Sequence, residues 1–198
     1  MNSGRKSDEA VRFLDWFNSI GGYKTKVLIA GNHDRLFEDQ PELAQELILS
    51  YPDINYLQDD MLEIPGSEKS VTLYGSPWQP EFCNWAFNLP RNGEALQSRW
   101  EAIPDNTDIL ITHGPPYGHL DIPGGQSIRV GCEPLRHRVD TIRPKIHVFG
   151  HIHGSAGYYF NGHTHFINAS ILNEQYFYQN PPLSIEWDSI TNEIKWVN

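Results

Sequence analysis

Three short apolar runs stand out in the hydrophobic pattern, and each stops on a polar motif that carries histidine. Val27-Leu28-Ile29-Ala30 leads into Gly31-Asn32-His33-Asp34, Ile109-Leu110-Ile111-Thr112 into His113-Gly114, and His147-Val148-Phe149 into Gly150-His151-Ile152-His153. Each run has the length and β-branched content of a buried strand. Each motif then falls at the carboxyl end of its strand, the edge of an open α/β sheet where ligands bind. Residues far apart in sequence are therefore expected to converge there, bringing imidazoles and an amide oxygen together.

The pattern between these runs predicts helices and further strands. Ser7 reads as an N-cap, with Asp8 and Glu9 in the first turn, where the helix dipole favours acids. Ala10, Val11, Leu14, Phe17 and Ile20 then share one helical face, and Gly21-Gly22 ends the helix. Pro41 opens a second helix over 41–49; others are expected over 94–102 and 133–142. Strands are expected over 26–30, 54–57, 61–64, 71–74 and 108–112. Residues 76–91 and 115–125 read as loops, the second because of Pro115-Pro116, Pro123 and Gly124-Gly125. Tyr158-Tyr159-Phe160, a turn at Asn161-Gly162 and residues 163–167 predict a hairpin. Residues 183–187 and 194–197 predict another strand pair. Strands alternating with helices and then closing on antiparallel strands indicate an α/β class: a layered β-sheet sandwich flanked by helices, in one domain spanning 1–198.

Composition narrows the function classes. The net charge is −10, which argues against a nucleic-acid polymer as partner, because such binding relies on Lys and Arg. No apolar stretch approaches the ~18 residues of a membrane span, so no membrane partner is expected. Cys83 and Cys132 are too few for a disulfide framework, which fits a reducing, cytoplasmic setting.

Taken singly, each motif has an ordinary reading. His151-x-His153, whose two rings would share one face on extended chain, also fits two exposed loop histidines, Gly31-Asn32-His33-Asp34 fits a turn, and His113 fits a surface residue after a strand. Taken together, at strand ends of one polarity, they form a donor set for a divalent cation. An Asn oxygen and neutral imidazoles suit borderline ions. An imidazole beside such a site can donate a proton, and a neighbouring carboxylate can orient it. His137, His147, His163 and His165 fall outside the pattern. His147 reads as structural, while His163 and His165 read as hairpin surface. His119 lies in a Pro/Gly loop, where it could line a pocket.

At these residues the chain resembles the calcineurin-like metallophosphoesterases. The three motifs look like the last signature blocks of that family. Phe13-Leu14-Asp15-Trp16-Phe17, Gly75-Ser76-Pro77-Trp78-Gln79-Pro80, Trp85-Ala86-Phe87-Asn88-Leu89-Pro90 and Ile167-Asn168-Ala169-Ser170 are similar to the metallophosphoesterase domain-containing branch. The resemblance implies the calcineurin-like phosphoesterase fold and hydrolysis of small or nucleotide-like phosphate esters. It implies two divalent cations (Mn, Fe or Zn) that clamp the phosphate and activate a water. Carried over by motif, Asn32, His113 and His151 hold the second metal and His153 the first. His33 protonates the leaving oxygen, and Asp34 orients it.

The family pattern also has D-x-H and G-D blocks ahead of the Phe13 helix. Neither occurs in the twelve residues that precede Phe13 here. The expectation is a chain shortened at its N-terminus, lacking one or two strands of the fold and holding one metal or none, with strongly reduced hydrolysis. Two alternatives stand beside the enzyme: a metal-poor binding or regulatory module, and a mononuclear zinc hydrolase using His113, His151 and His153.

Overall fold

The computed structural model describes residues 7–66 and 69–197. Its elements, in chain order, are α1 (Ser7–Ser19), β1 (Lys26–Leu28), α2 (Arg35–Asp39), α3 (Pro41–Leu49), β2 (Ile54–Tyr56), β3 (Asp60–Ile64), β4 (Val71–Ser76), β5 (Gln79–Pro80), β6 (Asn88–Leu89), α4 (Glu94–Glu101), β7 (Ile109–Thr112), α5 (Glu133–Ile142), β8 (Ile146–Phe149), a 3-10 turn (His153–Ser155), β9 (Gly157–Phe160), β10 (His165–Asn168), β11 (Ile185–Trp187) and β12 (Ile194–Trp196).

The main sheet has six strands in the order β3-β4-β7-β8-β10-β9. Its four central strands run parallel, and β3 and β9 pair antiparallel at the edges. Parallel neighbours need long crossovers, and α4 and α5 supply them from β4 to β7 and from β7 to β8. The apolar stripes of those helices meet the sheet in one cluster. Leu96, Trp100, Leu135 and Val139 pack there with Tyr74, Leu110, Phe149 and Phe166. The second cluster lies under α1, α2 and α3. There Leu14, Leu36, Phe37, Ala44 and Ile48 pack with Ala30, Ile54 and Phe87.

A two-stranded parallel sheet, β1-β2, forms a separate layer. It meets the main sheet at Gly75 of β4. A Cβ added at Gly75 would lie 2.6 Å from Leu57 Cβ and 2.8 Å from Ile29 Cγ2. The missing side chain is what lets the layers close, and the result is a mixed α/β architecture with a central sheet flanked by helices.

Several expectations are corrected in detail. Residues 35–39 form α2, whose five residues are too short to show a periodicity. The 76–91 segment carries the short parallel pair β5-β6. β1 ends at Leu28 rather than at residue 30. His163 is exposed, but His165 is buried: its ring stacks on Phe160 at 4.3 Å and bonds the Tyr158 hydroxyl at 2.8 Å. His119 is a core residue, stacked on Phe166 at 3.9 Å, with both ring nitrogens unpartnered. Among the described residues no helix is long and apolar enough to cross a membrane.

His147 is fully buried in β8, and its neighbours fix its tautomer. The Thr112 hydroxyl donates to the Gly114 carbonyl at 2.8 Å, which uses its one proton. His147 Nε2, 2.8 Å from Thr112 Oγ1, must therefore carry the hydrogen and donate. Nδ1 is left as a buried lone pair without a partner. Burial lowers the His147 pKa to about 3, with a smaller contribution from His119. The unfolded chain takes up the proton first, so stability is lost as pH falls from about 6.5 toward 3. In that window the unfolding free energy of His147→Gln should fall less steeply than that of the parent, by up to about 1.4 kcal/mol per pH unit. Denaturant unfolding between pH 7 and pH 4 checks this; parallel slopes would contradict it.

Candidate functional site

The three motifs meet at one edge of the structure. Past the end of β7, His113 N–H donates to Ser76 O at 3.2 Å, and Gly150 N–H donates to His113 O at 3.0 Å. These bonds extend the parallel ladder beyond the strands and fix where both motifs begin. From the β1 layer, Gly31-Asn32-His33-Asp34 closes as a turn. Asp34 N–H donates to Gly31 O at 2.9 Å, and Gly31 N–H donates to Asp34 Oδ2 at 2.8 Å.

The centre is the contact of Asn32 with His113. Asn32 Oδ1 lies 2.9 Å from His113 Nε2, and the Asn32 backbone nitrogen lies 3.3 Å from the same atom. Gly31 makes room for it: a Cβ there would stand 2.6 Å from His113 Cε1 and Nδ1. The His151 ring lies 4.7 Å from the His113 ring, centroid to centroid. His151 reaches it from a left-handed backbone with φ of +69°. The extended H-x-H geometry, with both rings on one face, is therefore not what forms. His151 turns to His113, while His153 opens the 3-10 turn and points its Nδ1 at Asn173 O, 2.9 Å away. A carbonyl only accepts, so Nδ1 carries the hydrogen and Nε2 is left with a free lone pair.

Burial governs the electrostatics. It lowers His113 well below the ordinary histidine value, with His151, His33 and His153 adding to the shift. It lowers His151 to about 4, and His33 is lowered for the same first reason. The rings thus lie within electrostatic reach of one another, and His113, His151 and His33 favour the neutral state. Asp34 is pushed up to about 6 by burial, against the opposing bond from Gly31. Its Oδ2 is held by Gly31 and its Oδ1 is buried without a partner, so neither oxygen bonds the His33 ring. His33 instead lies against Trp85 at 4.1 Å.

These donors fit a borderline divalent cation in kind. An amide oxygen and an imidazole nitrogen 2.9 Å apart match two adjacent ligands of one ion, each about 2.1 Å from it at a right angle. A ligating histidine commonly donates its other nitrogen to a carbonyl, as His153 does here. The fit in number is poorer. Among the described residues no three His, Cys, Asp or Glu side chains are grouped to hold a metal, so His113, His151 and His153 do not make a closed three-ligand site. The Asn32 amide has to be counted for a third donor.

The motif residues were legible as strand ends. Tyr176 and the Asn173 carbonyl were not, since their partners lie across the fold; Trp85 stood in a family-like motif, but its place against His33 did not show. Asn173 does carry a local signal, an Asn able to bond the backbone two residues on. Two neighbouring glycines give a stability test of the close approach. Gly31→Ala should cost about 1–3 kcal/mol by forcing the His113 ring aside. Gly114→Ala, whose Cβ would meet nothing nearer than His151 Cδ2 at 3.8 Å, should stay within about 0.5 kcal/mol. Chemical denaturation of both variants checks the difference; equal effects would contradict the packing described.

Comparison with known proteins gives a consistent picture. A family model described as calcineurin-like phosphoesterase matches residues 2–155. The chain is 39% identical over 195 residues to metallophosphoesterase domain-containing protein 1 of Homo sapiens, a match covering 90% of this chain and 59% of that protein. It is 39% identical over 197 residues to the UPF0046 protein T07D4.2 of Caenorhabditis elegans, covering 84% and 48% respectively. The chain thus spans about half to three fifths of the length of these relatives. Among solved structures, TT1561 of Thermus thermophilus superposes with a TM-score of 0.52 at 16% identity, over 87% of this chain and 71% of that one. Another crystal structure gives a TM-score of 0.65 at 17% identity, over 96% and 71%. At such identities the likeness is one of fold. The family model and the sequence relatives go further: the chain belongs to the calcineurin-like phosphoesterases, a superfamily of hydrolases that use divalent metals.

Proposed function

We propose that this site hydrolyses small phosphate esters with one divalent cation held by Asn32, His113 and His151. The observation that carries the reading is the approach of Asn32 Oδ1 to His113 Nε2 at 2.9 Å, with the His151 ring alongside. Mn, Fe and Zn all suit such oxygen and nitrogen donors. When bound, the cation supplies Lewis-acid charge that offsets the phosphoryl oxygens and lowers the pKa of a bound water. The protein residues do the rest. Asn32 and His113 fix the place of the phosphoryl group, because Gly31 and the extended ladder hold them. His33 stands beside that place, held by Trp85, and donates a proton to the leaving oxygen as the ester bond to phosphorus breaks. A bound phosphate anion favours the protonated imidazole and so counteracts the effect of burial on His33. One water is consumed: its oxygen ends on phosphorus and its released proton restores His33. His153, with Nε2 free, is a reserve donor toward a second cation. Asp34 holds the turn through Gly31 and supports His33 through the backbone.

A second reading, a weakly active or inactive metal-binding module, is favoured by one observation. Among the described residues no three His, Cys, Asp or Glu side chains are grouped to hold a metal, and no carboxylate ion-pairs with the four histidines. Neutral donors alone leave two adjacent dications unscreened, so one ion, loosely held, and slow turnover are expected.

The two readings separate on measurement. With manganese and an aryl phosphodiester, His33→Ala should lower kcat by about 10²–10³-fold at unchanged manganese content. His113→Ala and His151→Ala should lose the manganese as well as the activity. Steady-state kinetics with metal analysis after gel filtration checks this. Loss of metal in His33→Ala would refute its role as acid, and manganese retention without turnover in the parent chain would favour the binding module.

A further inference from the structure

Aromatic rings surround the histidine cluster. Trp85 lies 4.1 Å from the His33 ring, and Tyr176 stands edge-on to the same ring at 6.4 Å. Tyr176 also meets His153 edge-on at 5.4 Å. Phe82 meets Trp85 at 6.1 Å and His151 at 6.5 Å. Yet Phe82 is 57% exposed and Tyr176 58%. Rings that serve a core are buried, whereas rings standing half out of the protein beside a polar cluster keep a face for something else.

Both loops hold these rings on uncommon backbone. Tyr176 has φ of +62° and Cys83, next to Phe82, has φ of +54°. Asn173 staples the Tyr176 turn: its Oδ1 accepts from Gln175 N–H and Phe177 N–H, each at 3.0 Å, and its carbonyl accepts from Tyr176 N–H at 2.9 Å. Glu174 Oε1 accepts from Gly124 N–H at 2.6 Å and Gly154 N–H at 2.9 Å, which ties the turn to the loop bearing His153. A left-handed, non-glycine residue kept in place by surrounding bonds beside a polar site is a pointer to function.

We propose that Trp85 and Tyr176 form a slot for a flat aromatic leaving group, so that the preferred substrates are aryl phosphate esters; this rests on the phosphoesterase reading above. With the phosphoryl group at Asn32, His113 and His151, the leaving oxygen faces His33. The organic group attached to that oxygen then comes against the Trp85 and Tyr176 rings beside His33. A flat π-face stacks on Tyr176 and Trp85, and a saturated ring of similar size does not. Trp85 also lines a cleft of about 670 Å³ with Arg35, Glu81 and Asn84, which offers polar partners to the far end of a longer aryl group.

The test uses phosphonates that cannot be hydrolysed. Calorimetric titration in manganese should show phenylphosphonate binding roughly tenfold more tightly than cyclohexylphosphonate, the size expected of one stacked ring. Tyr176→Ala should erase that preference and Tyr176→Phe should keep it, with both variants retaining the parent melting temperature because the ring is exposed. No preference in the parent chain, or one that survives Tyr176→Ala, overturns the slot. If the two phosphonates bind equally while phosphodiesters are still hydrolysed, the slot falls and the phosphoesterase reading stands. If neither binds and no ester is hydrolysed, both fall.

Discussion

The site depends on a single close approach: the His113 ring against the backbone of Gly31. That contact sets Asn32 Oδ1 beside His113 Nε2, across 81 residues of sequence. It forms only because two glycines remove side chains in its way. Gly75 lets the β1-β2 layer close on β4, and Gly31 then lets the imidazole reach the turn that follows β1. Parallel pairing of β4, β7 and β8 supplies the rest. Their hydrogen bonds run on past the strand ends through Ser76, His113 and Gly150, so the motif residues begin on the sheet rather than on free loops. Functional groups set on such an edge are positioned by the core beneath them.

The same burial that orders the cluster decides its charge. Desolvation keeps His113 and His151 neutral, and each imidazole discourages protonation of the next. Neutral rings with lone pairs beside an amide oxygen are a donor set of the kind that suits a cation. With no carboxylate grouped against them among the described residues, the proposed site would hold one less firmly than a charged site. Asp34, the nearest acid in sequence, spends its hydrogen bond on the Gly31 amide and stabilises the turn.

The strand ends were legible because β-branched runs stop abruptly on Gly-, Asn- and His-containing motifs, a local signal that survives without knowing the fold. The helices over residues 7–19, 41–49 and 133–142 were legible from apolar periodicity or from an early Pro, although Ser7, expected as an N-cap, is the first residue of α1 and its hydroxyl donates to Asp8 Oδ1. What escaped was set by distance or by shortness. α2 has too few residues to show a period. His165 reads as hairpin surface in sequence, but pairing of β9 with β10 stacks it on Phe160, and His119, expected where it could line a pocket, packs on Phe166 instead. His151 and His153 look like a same-face pair, yet the left-handed φ of His151 sends them to different partners. Tyr176 lies six residues past the Ile167-Asn168-Ala169-Ser170 motif with no local sign of His33, and the bonds of Asn173 and Glu174 hold its turn in place.

The most direct test of the account is the position of a bound metal. Crystals of the chain grown with manganese and measured at the manganese absorption edge should show one anomalous peak about 2.2 Å from Asn32 Oδ1, His113 Nε2 and a ring nitrogen of His151. No peak at that edge, or one that avoids Asn32 and His113, would contradict it.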